Sequence, residues 1–356
     1  MDFTFNLLKN LTEANGVSGY EAQVRSVVRD YFKDLGEISQ DKIGSLICKK
    51  VGTTDRPRVM LAGHMDEIGF MVKQITKEGF IKFIPLGGWF DQVMLGHRVV
   101  IQTSNGDVIG VIGAKPPHLL SAEDRSKMTP KKDMYIDIGA TSQAEVEEAG
   151  VRLGDPIAPR ADFLPLANGK TYLSKAFDDR VGVALVVSAL KAMQDGSHPN
   201  TVYGAATVME EVGLRGATTS VRMVDPDVAI VLEADIAGDV PGIKPDEAST
   251  KLGSGPSLCI YEARTIPNAK LRDLAIEVAK AEGIPYQISF VEAGGTDAGA
   301  IHLHGIGVPS LVMAVPARHI HSHSSIIHRS DYDGAVRLLS ALLHRLDTKT
   351  VASLTE

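Results

Sequence analysis

Residues 58–72, RVMLAGHMDEIGFMV, run from apolar side chains into a cluster of charge. A short apolar run halted by glycine and charge reads as a strand covered on both faces. It ends near Gly63, which leaves His64 and Asp66 at its carboxyl end. The same kind of run recurs at 201–211 (TVYGAATVMEE), 227–235 (DVAIVLEAD) and 309–322 (PSLVMAVPARHIHS). Between these runs, apolar residues at helical spacing predict helices over 179–193, 268–281 and 331–346. Two more helices, 5–14 and 21–35, open the chain, with Ser18 as candidate cap of the second. Strand alternating with helix specifies an α/β fold, a mixed sheet flanked by helices.

From about Val72 to Leu166 the pattern changes. Short alternating pieces, IKFIPL (81–86), HRVVIQT (97–103), DVIGVIGA (107–114) and MYIDIG (134–139), are separated by turn-forming residues. That is an all-β signature, and it predicts a small inserted barrel-like domain over 72–166 within a main domain made of 1–71 plus 167–356. The polar stretch SAEDRSKMTPKKD (121–133) reads as an exposed loop of this insert.

Composition excludes several classes. A formal net charge of -7 and no Lys/Arg-rich run argue against a nucleic-acid partner bound by phosphate neutralisation. No stretch reaches the roughly eighteen apolar residues of a membrane span, and the first residues lack a secretory n-region and h-region, so a cytoplasmic protein is expected. Cys48 and Cys259 are the two cysteines and stand in no CxxC context, so a bound metal would be held by His and carboxylates.

Charge gathers where the buried strands end: His64 and Asp66, Glu210 and Glu211, Glu233 and Asp235, and His319, His321 and His323. Asp178 and Asp179 add a pair at a helix start. Ligand sites of open α/β sheets lie at carboxyl strand ends. Carboxylates crowded there repel unless cations neutralise them, and an imidazole-carboxylate set suits zinc, cobalt or manganese better than calcium. In His64-Met65-Asp66 the outer residues share a face if the chain stays extended, so Asp66 can take one imidazole N–H while the other nitrogen binds metal. Adjacent Glu210 and Glu211 point opposite ways in extended backbone, so one can ligate while the other acts as base. Asp178 and Asp179 suit a helix cap equally well, and spacing does not choose among the three histidines, which would alternate along one strand face.

Six stretches, GHMDEIGFMV (63–72), KAFDDRVG (175–182), VMEEVGLRGA (208–217), EADIAGDVPG (233–242), GGTDAGAIHLHGIGVPS (294–310) and ARHIHS (317–322), together resemble the M42 family of dinuclear metallo-aminopeptidases. The resemblance implies the fold of dinuclear zinc peptidases and two divalent metal ions per subunit, zinc or cobalt before manganese. It implies that His64 and Glu233 hold one metal, that Glu211 and His321 hold the other, and that Asp178 bridges both. Glu210 would be the general base and Asp66 would orient His64. It further implies peptide substrates, a β insert that dimerises, and dimers built into a homododecamer. Two departures stand out: His319 replaces the Tyr common in this family, and His323 stands where Pro is usual. Where many relatives place Asp, this chain has Glu233, with Asp235 as a competing ligand. Rival readings are a metal-dependent deacylase or carboxypeptidase, a glycoside hydrolase using paired carboxylates, and a non-catalytic protein with structural metal. No GxSxG elbow is present, so a covalent serine mechanism is not expected.

Overall fold

A computed structural model describes residues 2–356. Helices α1 (Phe3–Glu13) and α2 (Ala22–Phe32) lead into strands β1 (Glu37–Gln40), β2 (Leu46–Val51) and β3 (Arg58–His64). The next strands are β4 (Gly69–Ile75), β5 (Ile81–Leu86), β6 (Arg98–Thr103), β7 (Gly106–Gly113) and β8 (Tyr135–Asp137). A short helix, α3 (Gln143–Glu148), precedes β9 (Pro156–Pro159), β10 (Leu164–Pro165) and β11 (Thr171–Ser174). Then come α4 (Phe177–Ala192), β12 (Thr201–Thr207), α5 (Arg215–Val224), β13 (Val228–Ile236) and β14 (Ser257–Glu262). The remaining elements are α6 (Ala269–Ala281), β15 (Gln287–Val291), α7 (Ala298–Ile301), β16 (Ser310–Arg318), β17 (Ser325–His328), α8 (Arg329–Arg345) and α9 (Thr348–Ser353).

Eleven strands form one mixed sheet in the order β1-β2-β12-β3-β13-β16-β17-β11-β10, with β14 joined to β16 and β15 beyond it. The central strands β12, β3, β13 and β16 are mutually parallel, so their carboxyl ends emerge along one edge. Thr207 is paired there with His64, and Glu233 with Ala314. Parallel strands must be covered on both faces. Helix α4 supplies much of that cover and is buried along almost its whole length. Its approach is close: a Cβ on Gly182 would lie 2.2 Å from the Leu232 carbonyl oxygen, and one on Gly63 would lie 2.6 Å from the Gly182 carbonyl carbon. Only glycine permits that contact.

Strands β4 to β9 close into a separate six-stranded barrel, β4-β5-β8-β7-β6-β9, around Phe70, Trp89, Ile101 and Ile136. The mixed sheet with flanking helices and the added barrel are the architecture expected from the alternation of patterns. The polar stretch 121–133 is an exposed connection of short 3-10 turns.

Two local expectations need correction. Ser18 does not cap α2, whose N-cap is Glu21 without a side-chain bond; its hydroxyl instead donates to Asp66 Oδ2 at 2.6 Å. Nor do His319, His321 and His323 share a strand face. Strand β16 stops at Arg318, and His319 and His321 have φ of 58° and 57°, which turns each imidazole in a different direction.

Candidate metal centre

His64 closes β3, and its backbone N–H donates to Asp179 Oδ2 at 3.0 Å. Its Nδ1 lies 3.0 Å from the carbonyl oxygen of Asp66 and 3.4 Å from the Asp66 carboxylate. The carbonyl is therefore the nearer acceptor for the imidazole N–H, where the sequence suggested the side chain. With Nδ1 so engaged, Nε2 faces Asp178 Oδ1 at 3.1 Å, Glu210 at 3.7 Å and Glu233 at 4.0 Å. The Asp66 carboxylate is spent elsewhere, accepting the backbone N–H groups of Glu210 (3.0 Å) and Glu211 (3.2 Å). It thus ties the turn after β12 to the end of β3.

Asp178 lies at the start of α4, where it and Asp179 have non-helical backbone. Its second oxygen, Oδ2, is 3.0 Å from His321 Nε2. His321 donates its Nδ1–H to the Gly88 carbonyl at 2.8 Å, and its Nε2 stands 3.6 Å from Glu211 Oε1. One carboxylate therefore presents one oxygen to each of two imidazoles. Ligand-type atoms within 4.8 Å of one another form two sets, His64 with Glu210 and Glu233, and His64 with Asp178 and Glu211.

The electrostatics fit cations. Burial, with the charges of Asp297 and Glu211, raises the Glu210 carboxyl well above its usual range. Burial and Asp179 do the same to Glu233. Burial and Asp178 push Glu211 up to about 8. Against burial, hydrogen bonds to His321 and His64 hold Asp178 below the ordinary carboxylate range. Burial opposes charge on His321 too, but Asp178 and Glu211 hold its imidazole up at about 10. The chain alone balances this crowd with protons, a role divalent ions take over when bound. Glu211 Oε1 is also buried without a hydrogen-bond partner, as a free ligand oxygen would be. The donor set of imidazole nitrogens and carboxylate oxygens suits zinc, cobalt or manganese.

All seven residues singled out by the sequence, His64, Asp66, Asp178, Glu210, Glu211, Glu233 and His321, converge here. The competing candidates do not. Asp235 lies in the same cleft, but its carboxylate accepts from the Ser257 hydroxyl at 2.6 Å. His319 is exposed, and His323 is buried with its ring stacked on His97 at 3.9 Å.

Sequence reasoning missed three supports. Asp297, fully buried within the Gly-Gly-Thr-Asp stretch, accepts from Thr207 Oγ1 beside His64, and burial raises it to about 6. An acid directly after Gly-Gly-Thr was the available signal. Glu21 accepts the amides of Gly19 (2.7 Å) and Met209 (3.1 Å) behind the glutamate turn. Arg180, wholly buried, donates to the carbonyls of Met65, Leu11, Ala14 and Gly16 and, with Lys175, pairs with Glu67.

The cleft over the cluster has a volume of about 460 Å³ and takes Gly294, Gly295 and Thr296 as part of its wall.

The family model described as M42 glutamyl aminopeptidase matches residues 44–338. A glutamyl aminopeptidase of Lactococcus lactis subsp. cremoris is 35% identical over 98% of this chain and 98% of its own length. The crystal structure of a TET aminopeptidase from a marine sediment archaeon of the Thaumarchaeota is 50% identical, covers 99% of this chain and 98% of that one, and superposes with a TM-score of 0.96. A Pyrococcus horikoshii TET1 peptidase that can assemble into a tetrahedron or a large octahedral shell is 34% identical over 96% of this chain and 100% of that one, with a TM-score of 0.85.

Proposed function

The chain belongs to the M42 glutamyl aminopeptidase family, and from that premise we propose that it removes N-terminal residues from peptides with the help of two divalent metal ions. Zinc or cobalt fits the donor set first, manganese next. His64 and Glu233 would hold one ion, Glu211 and His321 the other, and Asp178 both. The observation that carries this reading is the division of the Asp178 carboxylate, one oxygen to His64 at 3.1 Å and the other to His321 at 3.0 Å.

When bound, such ions lower the pKa of a water and polarise the scissile carbonyl. Glu210 would be the acid-base group: once bound ions replace the proton that burial favours on its carboxyl, the carboxylate, 3.7 Å from His64, would take the proton of the attacking water and return it to the leaving amine. Asp66 is a positioning residue that holds the backbone of both glutamates and touches His64. Six carboxylates line the cleft, Asp178, Glu210, Glu211, Glu233, Asp235 and Glu262, against the single guanidinium of Arg264. With four of these taken up by the ions and the acid-base role, Asp235 and Glu262 remain against Arg264 to receive a free ammonium. A glycoside hydrolase gains nothing from two imidazoles facing one carboxylate.

As the tetrahedron-forming relative self-assembles, we infer that this chain does too, with the inserted domain at 72–166 as the dimer contact and a homododecamer built from those dimers. Among the described residues no helix is long and apolar enough to cross a membrane, and the expected location is the cytoplasm. Metal titration tests the core of the proposal: two ions per chain in the wild type, one or fewer in Asp178→Asn. Unchanged stoichiometry in that variant refutes the bridging role.

A further inference from the structure

On the far side of His321 from the acidic cleft lies a second cavity, of about 400 Å³. Gly88, Ile320 and His321 belong to the walls of both. Their chemistry differs. The first cavity carries six carboxylates, whereas the lining of the second contains no Asp, Glu, Lys or Arg. Beside Ser322 and Ser324, its wall presents Phe90, Val93 and Ile320 and the imidazoles of His97, His319 and His323.

Its floor is a stack of rings. His323 is 1% exposed, lies 3.9 Å from His97 at an interplanar angle of 19°, and meets Trp89 at 5.2 Å on its other side. Trp89 is itself fixed, stacked on Phe70 at 4.7 Å and donating its indole N–H to the Gly69 carbonyl at 3.0 Å. Above this rigid floor, Phe90 leaves 55% of its surface exposed at the cavity edge.

We propose that this cavity receives the residue that follows the cleaved bond, and that it favours an aromatic or large aliphatic side chain there. The inference rests on the aminopeptidase reading. With the N-terminal ammonium held in the first cavity beside Asp235 and Glu262, the rest of the peptide leaves the metal cluster past His321, a wall the two cavities share. His321 marks that side, and the cavity behind it has no carboxylate to repel the C-terminal charge of a short peptide. A side chain placed there loses apolar surface to water against Phe90 and the ring floor, with aromatic contacts adding to the gain.

The test is a series of unblocked tripeptides X-Phe-Gly, X-Leu-Gly, X-Gly-Gly and X-Asp-Gly, with X the residue released best from its simple amide by the metal-loaded enzyme. The wild type is expected to show kcat/KM about tenfold higher for Phe and Leu than for Gly in the second position. In Phe90→Ala and in His319→Ala that ratio should fall toward one. Both positions are exposed, so thermal unfolding and circular dichroism confirm that the variants fold. A flat ratio in the wild type, or a ratio untouched by both substitutions, overturns the proposal. A flat ratio together with a changed number of chains per particle in Phe90→Ala assigns the cavity to a second copy, which also overturns it. Amide hydrolysis keeps the two levels apart: failure on every amide removes the aminopeptidase reading and this inference with it, while amide hydrolysis with a flat ratio removes only the subsite.

Discussion

Glu210 stands 3.7 Å from His64 and shares its turn with Glu211, so its substitution distinguishes a base from a ligand. Glu210→Gln keeps the size and removes the ionisable carboxyl. It is expected to lower kcat by about 10²–10⁴-fold while the protein still binds two metal ions, measured by steady-state kinetics beside metal analysis. Loss of one ion in this variant would make Glu210 a ligand instead. Behind it, Glu21 is raised to about 7 by burial and by the charge of Asp66. An acid whose folded pKa exceeds its unfolded value of 4.5 keeps its proton in the folded state through that window, so its contribution to stability falls as pH rises from 4.5 to 7. Glu21→Gln cannot lose a proton. The difference in Tm between variant and wild type should therefore grow in favour of Gln between about pH 5 and pH 7 and level off above; a constant difference would contradict the assignment. At this scale the ligand types were readable from sequence, because each stands beside an apolar run. Spacing did not choose His321 over His319 and His323, and only the resemblance pointed to it, because the choice depends on backbone turns after β16 that bring one imidazole within 3.0 Å of Asp178.

The elements place these residues through strand ends and a close helix. Helix α4 must lie against β3 and β13 for Asp178 to face His64, and Gly182 and Gly63 make that contact. Gly182→Ala drives a Cβ to 2.2 Å from a backbone oxygen and 2.3 Å from Asp179 Oδ2. The cost is expected to be about 1–3 kcal/mol from overpacking, with weakened metal binding, measured by denaturant unfolding and metal titration. Unchanged stability would mean that α4 sits farther out. Strands and helices were legible because burial on both faces writes continuous apolar runs, and helices write a 3.6-residue period. The turns between them were not. Ala176, Met209, Leu214, His319 and His321 adopt positive φ around the ligands without being glycine, at roughly 1–2 kcal/mol each. Such conformations persist where the surrounding packing imposes them, and no local residue pattern announces them.

In the whole molecule, a mixed sheet holds the proposed ligands and the barrel side contributes Gly88, whose carbonyl accepts from His321. The site thus depends on both parts of the fold. The change from long runs to short alternating pieces made the barrel visible in sequence, but the contact of Gly88 with His321 joins positions too distant for any periodicity to link. Solution mass by light scattering is expected to show a particle of twelve chains, with dimers as the smaller unit; a monomer at all concentrations would contradict that assembly. The central claim is tested most directly by stripping the protein with chelator, resupplying zinc, cobalt or manganese, and measuring free amino acids released from unblocked and N-acetylated peptides. Metal-restored release from the unblocked peptides alone is the predicted result. Equal cleavage of the blocked peptides, or no cleavage with any of the three metals, would contradict it.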